Sequence, residues 1–377
     1  MRLMFFCGGT SVFGMEKVAL TLMKGLQDRG HEVFCVASGW TDGDYPARLR
    51  RLGIPYEQVY IGKLTKSLNP RCLKLLLTTV VHWPSAYSRV RQLLADGSPD
   101  VILLYQTDAL ALVGRLLKGR RCLLHVHGLW RGSWPQRRLI RYMNSILTRY
   151  VAVSGFVEQG LVALGAPPAK TCIIYNGLEK PRRDLTVPRL SERQAVRIGI
   201  VGQVGAWKGH SDFVEALAFL AKKGLPFEGH VFGDGSPEFK AELRQKIGAL
   251  GLEGRITWHG YVCDTDAIFQ SLDVVTTPSV TEDPAPLAAC EAGSRGLPVV
   301  ATRRGGLPEI VEEGVTGFVV EAQRPDQLAD RLERLIRDPA LRQAMGERAR
   351  VRISERFSKE RMVNEFEALC QELAGHA

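Results

Sequence analysis

The sequence predicts an α/β protein built as two doubly wound domains, and three observations carry that prediction. Each half opens on an apolar run that passes into a glycine-bearing loop and then a helical pattern: Arg2-Leu-Met-Phe-Phe-Cys-Gly-Gly leads to Gly14, and Arg197-Ile-Gly-Ile-Val-Gly-Gln leads to Gly209. Short, continuous apolar runs alternate with helical patterns along both halves, the signature of parallel sheets covered on both faces. The chain has 377 residues, too many for one ordinary domain.

In order along the chain, residues 3–6 form the first strand. Val18, Leu22 and Leu26 share one face of the following helix, which ends at Gly30 and leads into a strand at residues 33–37. Further strands are expected at residues 101–104, 123–126 and 151–153. In the second half they recur at residues 230–232, 256–258, 274–276 and 299–301. Residues 178–195 read as a linker, because Pro181, Arg182, Arg183, Asp184, Pro188 and Ser191 fit neither helical nor strand periodicity. Residues 339–373 read as helical, with Phe357, Met362, Phe366 and Leu369 as apolar contacts. The expected division is 1–185, 186–355 and a C-terminal helix, 356–377, returning to the first domain. A ligand crevice between the domains follows from the rule that open α/β sheets bind ligands beyond the carboxyl ends of their strands.

Composition narrows the classes. Apolar residues at 45% and charged residues at 24% describe a globular chain with ample core. The cysteines, at 7, 35, 72, 122, 172, 263, 290 and 370, never form Cys-x-x-Cys, which argues against a zinc ribbon or disulfide framework and for reduced thiols in a cytoplasm. The N-terminal apolar run is shorter than the roughly 7 residues a secretory signal needs. No apolar stretch approaches the roughly 20 residues of a membrane span. The net charge of +10 is unevenly spread: residues 1–185 hold 26 Lys and Arg against 12 Asp and Glu, a net of +14, and the remainder is at −4.

Two motifs carry chemistry. Gly202-Gln203-Val-Gly-Ala-Trp-Lys208-Gly209-His210 is a glycine-rich turn between strand and helix whose amides and single Lys suit an anion. By itself it also fits a plain strand-to-helix turn with a solvated Lys. Asp283-Pro-Ala-Pro286-Leu287-Ala288-Ala-Cys-Glu291 places one carboxylate in a loop before a helix and another inside it, where sugar or ribose hydroxyls could meet fixed acceptors. The plainer reading is a capping carboxylate and a surface one.

The order of these motifs and their positions after second-half strands resemble the retaining GT-B glycosyltransferases of family 4, over nearly the whole chain. Phe13-Gly14-Met15-Glu16, Arg29-Gly30-His31-Glu32-Val33, His125-Val-His127-Gly128 and Ile174-Tyr-Asn176-Gly177 extend the resemblance to the first half. It implies a GT-B fold, two Rossmann-like domains facing each other across a cleft, with the acceptor bound by the first and a nucleoside-diphosphate sugar by the second. Carried over, Lys208 becomes a diphosphate ligand, Glu291 the acceptor for ribose hydroxyls, Asp283 a holder of sugar hydroxyls and His127 a residue facing the donor sugar. Gly14 would let its loop approach the diphosphate, and the amides of Leu287 and Ala288 would cap the phosphates. Gly209 closes the turn, and Gly260, Tyr261 and Val262 flank the nucleobase. Three positions depart from the family pattern: Gln203 stands for the usual Arg, Asp283 for Glu and Pro286 for Gly.

The implied function is sugar transfer from a nucleoside diphosphate with retained anomeric configuration, without metal or other cofactor, to a lipid-linked or cell-surface polysaccharide precursor. The alternatives are a small soluble acceptor, or a catalytically weakened scaffold suggested by the three departures. Asp264-Thr-Asp266 resembles a metal-binding pair but is read as a helix cap, and Asp42-Gly-Asp44 as a turn. Neither half has Gly-x-Gly-x-x-Gly at its first turn, which argues against NAD. No nucleic-acid motif accompanies the basic half. An anionic membrane surface fits it better. Residues 64–94 mix Lys66, Arg71, Lys74, Arg89 and Arg91 with leucines, valines and Trp83, and Arg131, Arg137, Arg138 and Arg141 flank Trp130 and Trp134. A solvated basic face is the plain alternative. Cytoplasmic localisation, peripheral on the membrane, follows.

Overall fold

The computed structural model describes residues 1–9, 12–61, 70–130, 132–181 and 195–375. The chain forms two compact units: Met1–Gly177 with Lys359–Ala377, and Leu178–Ser358. The boundaries lie at 177 and 358, not at 185 and 355. Leu178 N donates to Phe357 O at 2.8 Å and Leu178 bridges Ser358, so the chain already belongs to the second unit there. Of the expected linker, residues 182–194 lie outside the described residues, as do Lys66, Arg131 and the side chains of Arg71 and Lys74.

The first unit contains strands β1 (Arg2–Cys7), β2 (Glu32–Ser38), β3 (Tyr56–Val59), β4 (Val101–Leu104), β5 (Cys122–Val126), β6 (Arg149–Ala152) and β7 (Thr171–Ile173). All are parallel, in the order β3-β2-β1-β4-β5-β6-β7. Its helices are α1 (Gly14–Gln27), α2 (Asp44–Arg51), α3 (Pro70–Gly97), α4 (Thr107–Leu117), α5 (Trp134–Asn144) and α6 (Gly155–Ala163). The second unit holds β8 (Val196–Val201), β9 (Phe227–Phe232), β10 (Ile256–Gly260), β11 (Val274–Thr277), β12 (Val299–Thr302) and β13 (Gly317–Val320), again parallel, in the order β10-β9-β8-β11-β12-β13. Its helices are α7 (His210–Lys222), α8 (Pro237–Ala249), α9 (Thr265–Gln270), α10 (Leu287–Ser294), α11 (Leu307–Ile310), α12 (Pro325–Arg337) and α13 (Pro339–Arg356). In each sheet the winding reverses once, between β1 and β4 and between β8 and β11. The carboxyl edge beside such a reversal is where open α/β sheets bind ligands.

The continuous apolar runs bury as parallel-sheet strands must. Leu3, Phe5, Val101, Leu103 and Leu123 in one sheet, and Ile198, Val231, Val274 and Val300 in the other, are buried. Three strands that those runs do not announce, β3, β7 and β13, all lie at sheet edges. β3 reads Tyr-Glu-Gln-Val and β7 has only three half-buried residues, as a strand with one neighbour can, whereas β13, Gly-Phe-Val-Val, is buried throughout.

The predicted C-terminal helix is two helices. It breaks at Phe357 and Ser358, and α14 (Lys359–Ala374) packs on the first unit. Gly25 of α1 makes room for it, since a Cβ there would sit 2.5 Å from Val363 Cγ2. Arg361 donates to Tyr175 O at 2.8 Å, Glu367 pairs with Arg29 and His31 at 2.6 Å each, and Arg149 pairs with Glu372 at 2.8 Å.

Candidate active site

In the second unit the two sequence motifs meet at the reversal point. The loop after β8 carries Gln203, Lys208 and Gly209, and the loop after the adjacent β11 carries Asp283. Lys208 Nζ forms an ion pair with Asp283 Oδ2 and lies 4.6 Å from the centroid of the Trp207 ring. Asp283 is buried, so the pairing also compensates a desolvated carboxylate.

Backbone packing forces this geometry. Gly209 has φ +77° and ends the turn that holds Lys208, and a Cβ there would lie 1.8 Å from Pro278 O. The loop after β12 closes over Asp283: Gly306 N donates to its carbonyl at 2.9 Å, and a Cβ on Gly305, at φ +55°, would meet that oxygen at 2.0 Å. Neighbouring Glu282 accepts from Gly305 N and pairs with Arg304 at 3.4 Å.

Pro286 is the residue before α10, and Leu287 and Ala288 are its first two residues, whose amides have no acceptor within the helix. Glu291 is half-buried one turn further on, and Gln203 is exposed. Gly260 ends β10, two strands from β8, and Tyr261 and Val262 follow it, with Tyr261 exposed. Gly14 and His127 belong to the first unit.

In that unit a cavity of about 610 Å³ lies at the carboxyl ends of β1, β4 and β5, beside the reversal point. Phe13, Trp40, Tyr105 and Trp130 supply aromatic walls, and Gln106, Asp108, His127 and Gln136 supply polar atoms. His127 Nε2 is 3.2 Å from His125 Nδ1, and Tyr105 stacks on His127 with centroids 5.7 Å apart. Burial pushes the His127 imidazole down to about 3 and His125 well below its usual value, so both are neutral near pH 7. Burial raises Glu16, whose carboxylate accepts from Phe13 N at 3.0 Å beside Gly14. Tyr105 Oη, Trp40 Nε1 and His125 Nε2 are buried and find no hydrogen-bond partner among the described residues. Polar atoms left in that state carry a desolvation cost that a bound water or a ligand group relieves.

Sequence reasoning gave His127 a role here, named His125 only as part of its motif, and missed Trp40 and Tyr105. Two signals bring Tyr105 and His125 into the site. His125 and His127 are two apart at a strand end and so share a side, and Tyr105 is the first residue beyond the apolar run 101–104. Both discounted carboxylate pairs are engaged locally. Asp264 caps α9 through Asp266 N and Ala267 N, while Asp266 pairs with Arg295. Asp42 accepts from Asp44 N at 3.0 Å, and Asp44 pairs with Arg48. Among the described residues no three His, Cys, Asp or Glu side chains cluster as metal ligands.

The family model for glycosyl transferases group 1 matches residues 188–352, and that for glycosyltransferase family 4 matches residues 12–180. N-acetyl-alpha-D-glucosaminyl L-malate synthase of Bacillus anthracis is 26% identical, over 96% of this chain and 93% of its own. D-inositol 3-phosphate glycosyltransferase of an Arthrobacter species is 34% identical, over 45% of this chain and 44% of its own. The crystal structure of Anabaena Alr3699/HepE in complex with UDP superposes with a TM-score of 0.82 at 22% identity, covering 99% of this chain and all of that one. A structure of the same Anabaena protein with UDP-glucose gives 0.78. With both halves matched and the same fold in these structures, the chain belongs to the family 4 glycosyltransferases of GT-B fold.

Proposed function

We propose that the protein transfers a sugar, with retention of anomeric configuration and without a metal, from a nucleoside diphosphate to a lipid-linked or cell-surface glycan precursor at the cytoplasmic face of a membrane. The observation that carries the reading is the meeting of Lys208 and Asp283 at the reversal point of the second sheet, beside the amino end of α10. An ammonium and the amides of Leu287 and Ala288 stabilise the charge that grows on the leaving diphosphate. Glu291 accepts from the ribose hydroxyls and Asp283 from the sugar. Until the donor arrives, Asp283 holds Lys208 in place, so the cation is oriented before it is needed.

His127, held neutral, positions substrate rather than moving a proton. The leaving phosphate takes the acceptor's proton on the face it departs from, which is why no side chain is assigned as base. The first-unit cavity, with aromatic walls and unsatisfied donors at Tyr105 and Trp40, receives the acceptor. UDP leads the donor candidates because the Anabaena protein of like fold holds UDP-glucose.

A thermal-shift panel of UDP, GDP, ADP and dTDP, each with magnesium and with EDTA, tests the donor site. A nucleotide that binds the folded protein only raises stability by about 2.7 kcal/mol at a hundredfold excess over its Kd. Stabilisation by one nucleotide in EDTA, lost in Lys208→Ala, is the expected result. Stabilisation by none, or only with magnesium, contradicts the reading.

A further inference from the structure

The first unit gathers exposed apolar side chains near the carboxyl edge, where its cavity opens, and unpaired cations along the helices that run back from that edge. α3 has 28 residues, about 42 Å at the usual rise, against strands of 3–7 residues. It ends four residues before β4 at the amino edge of the sheet, and His82 stacks on Tyr60, just past β3, at the carboxyl edge. The turns before His82 therefore overhang the carboxyl edge.

Where the helix rests on the sheet, Ala86, Val90 and Leu94 are buried. On the opposite side Leu73, Leu77, Val80 and Val81 are 46%, 59%, 62% and 73% exposed, at the i, i+4, i+7, i+8 spacing of one stripe. Trp83 Nε1 donates to Leu112 O and Tyr142 Oη to Leu110 O, so α3, α4 and α5 form one layer. α5 starts at the same carboxyl edge with Trp134, 65% exposed under the Arg138 guanidinium. Arg91, Arg115, Lys118, Arg137, Arg138 and Arg141 are exposed on this layer, and none has an ion pair with a carboxylate among the described residues.

We propose that this layer docks on an anionic phospholipid surface. The α3 stripe and Trp134 enter the boundary between headgroups and acyl chains, and the arginines meet lipid phosphates. A second copy fits poorly, because a symmetric contact sets arginine against arginine with no carboxylate between them. Docking leaves the cavity mouth at the lipid surface, and this consequence rests on the reading of a lipid-linked acceptor given above.

The test is co-sedimentation of the full chain with vesicles of phosphatidylcholine alone and of phosphatidylcholine with phosphatidylglycerol. Pelleting with the anionic vesicles only is expected. Partitioning should fall about tenfold or more in Leu77→Glu/Val81→Glu and in Arg137→Glu/Arg138→Glu/Arg141→Glu, and stay unchanged in Arg348→Glu of the second unit. Circular dichroism and nucleotide stabilisation of each variant show that it folds. Absence of pelleting, pelleting that survives both sets of changes, or a dimer that they dissociate without any lipid binding overturns the proposal. Lipid docking without nucleotide stabilisation of the parent chain supports docking and sinks the donor-site reading alone.

Discussion

The two units share one architecture and differ in how they build the ligand end of the sheet. In the second unit backbone meets backbone: Gly209 against Pro278 and Gly305 against Asp283 leave no space for a Cβ, and the side chains that remain are an ion pair. In the first unit side chains make the site, with Trp40, Tyr105, His125 and His127 contributed by three separate strand ends. A charged diphosphate needs fixed amides and a cation, whereas a cavity of rings and unsatisfied donors can be re-cut for a new acceptor without moving the backbone.

Four experiments break or sharpen that contrast. Lys208→Ala is expected to lower kcat by roughly 10²- to 10³-fold, the usual cost of removing one group that stabilises transition-state charge. A loss confined to acceptor KM would move Lys208 out of the donor site. Gly209→Ala adds a methyl against Pro278 O and strains a positive φ; a loss of about 3 kcal/mol in chemical denaturation is expected. The same substitution at Gly128, where nothing lies within 4 Å, should cost far less. An equal cost at both positions would remove the argument from close backbone packing.

Acid should act on both units through buried neutral histidines. Burial lowers His210 to about 4 and His127 to about 3, below the unfolded value near 6.5. The stability they contribute is intact above pH 6.5 and is lost as pH falls toward those values, by roughly 1.4 kcal/mol per pH unit for each. Calorimetry from pH 7 to 4 should show the fall, reduced in His210→Asn; a flat profile contradicts it. The smallest effect belongs to Tyr105→Phe. Removing an unpartnered hydroxyl should leave stability unchanged or raise it by about 1 kcal/mol, while acceptor KM rises several-fold. Unchanged acceptor KM would take Tyr105 out of the acceptor site.

The contrast also explains what the sequence made legible. Strands such as Val101–Leu104 and Val274–Thr277 stand out because both faces are covered, whereas the edge strand Tyr56–Val59 needs no such pattern. The second-unit site is readable because each of its loops is contiguous: Gly202 to Gly209 and Asp283 to Glu291 carry their own geometry. The cavity is not, since Trp40, Tyr105 and His127 have no spacing in common and only the fold gathers them. The α3 stripe is intermediate. Leu77 and Val81 look like core leucine and valine until the length of the helix carries them past the sheet.

The most direct measurement is calorimetric titration of UDP, and of any other nucleotide the thermal panel selects, into the parent chain, Lys208→Ala and Tyr105→Phe, all in EDTA. The account predicts binding to the parent and to Tyr105→Phe with the same Kd, and a loss of at least tenfold in Lys208→Ala. Binding that survives Lys208→Ala and weakens in Tyr105→Phe would contradict it, because the donor would then belong to the aromatic cavity of the first unit.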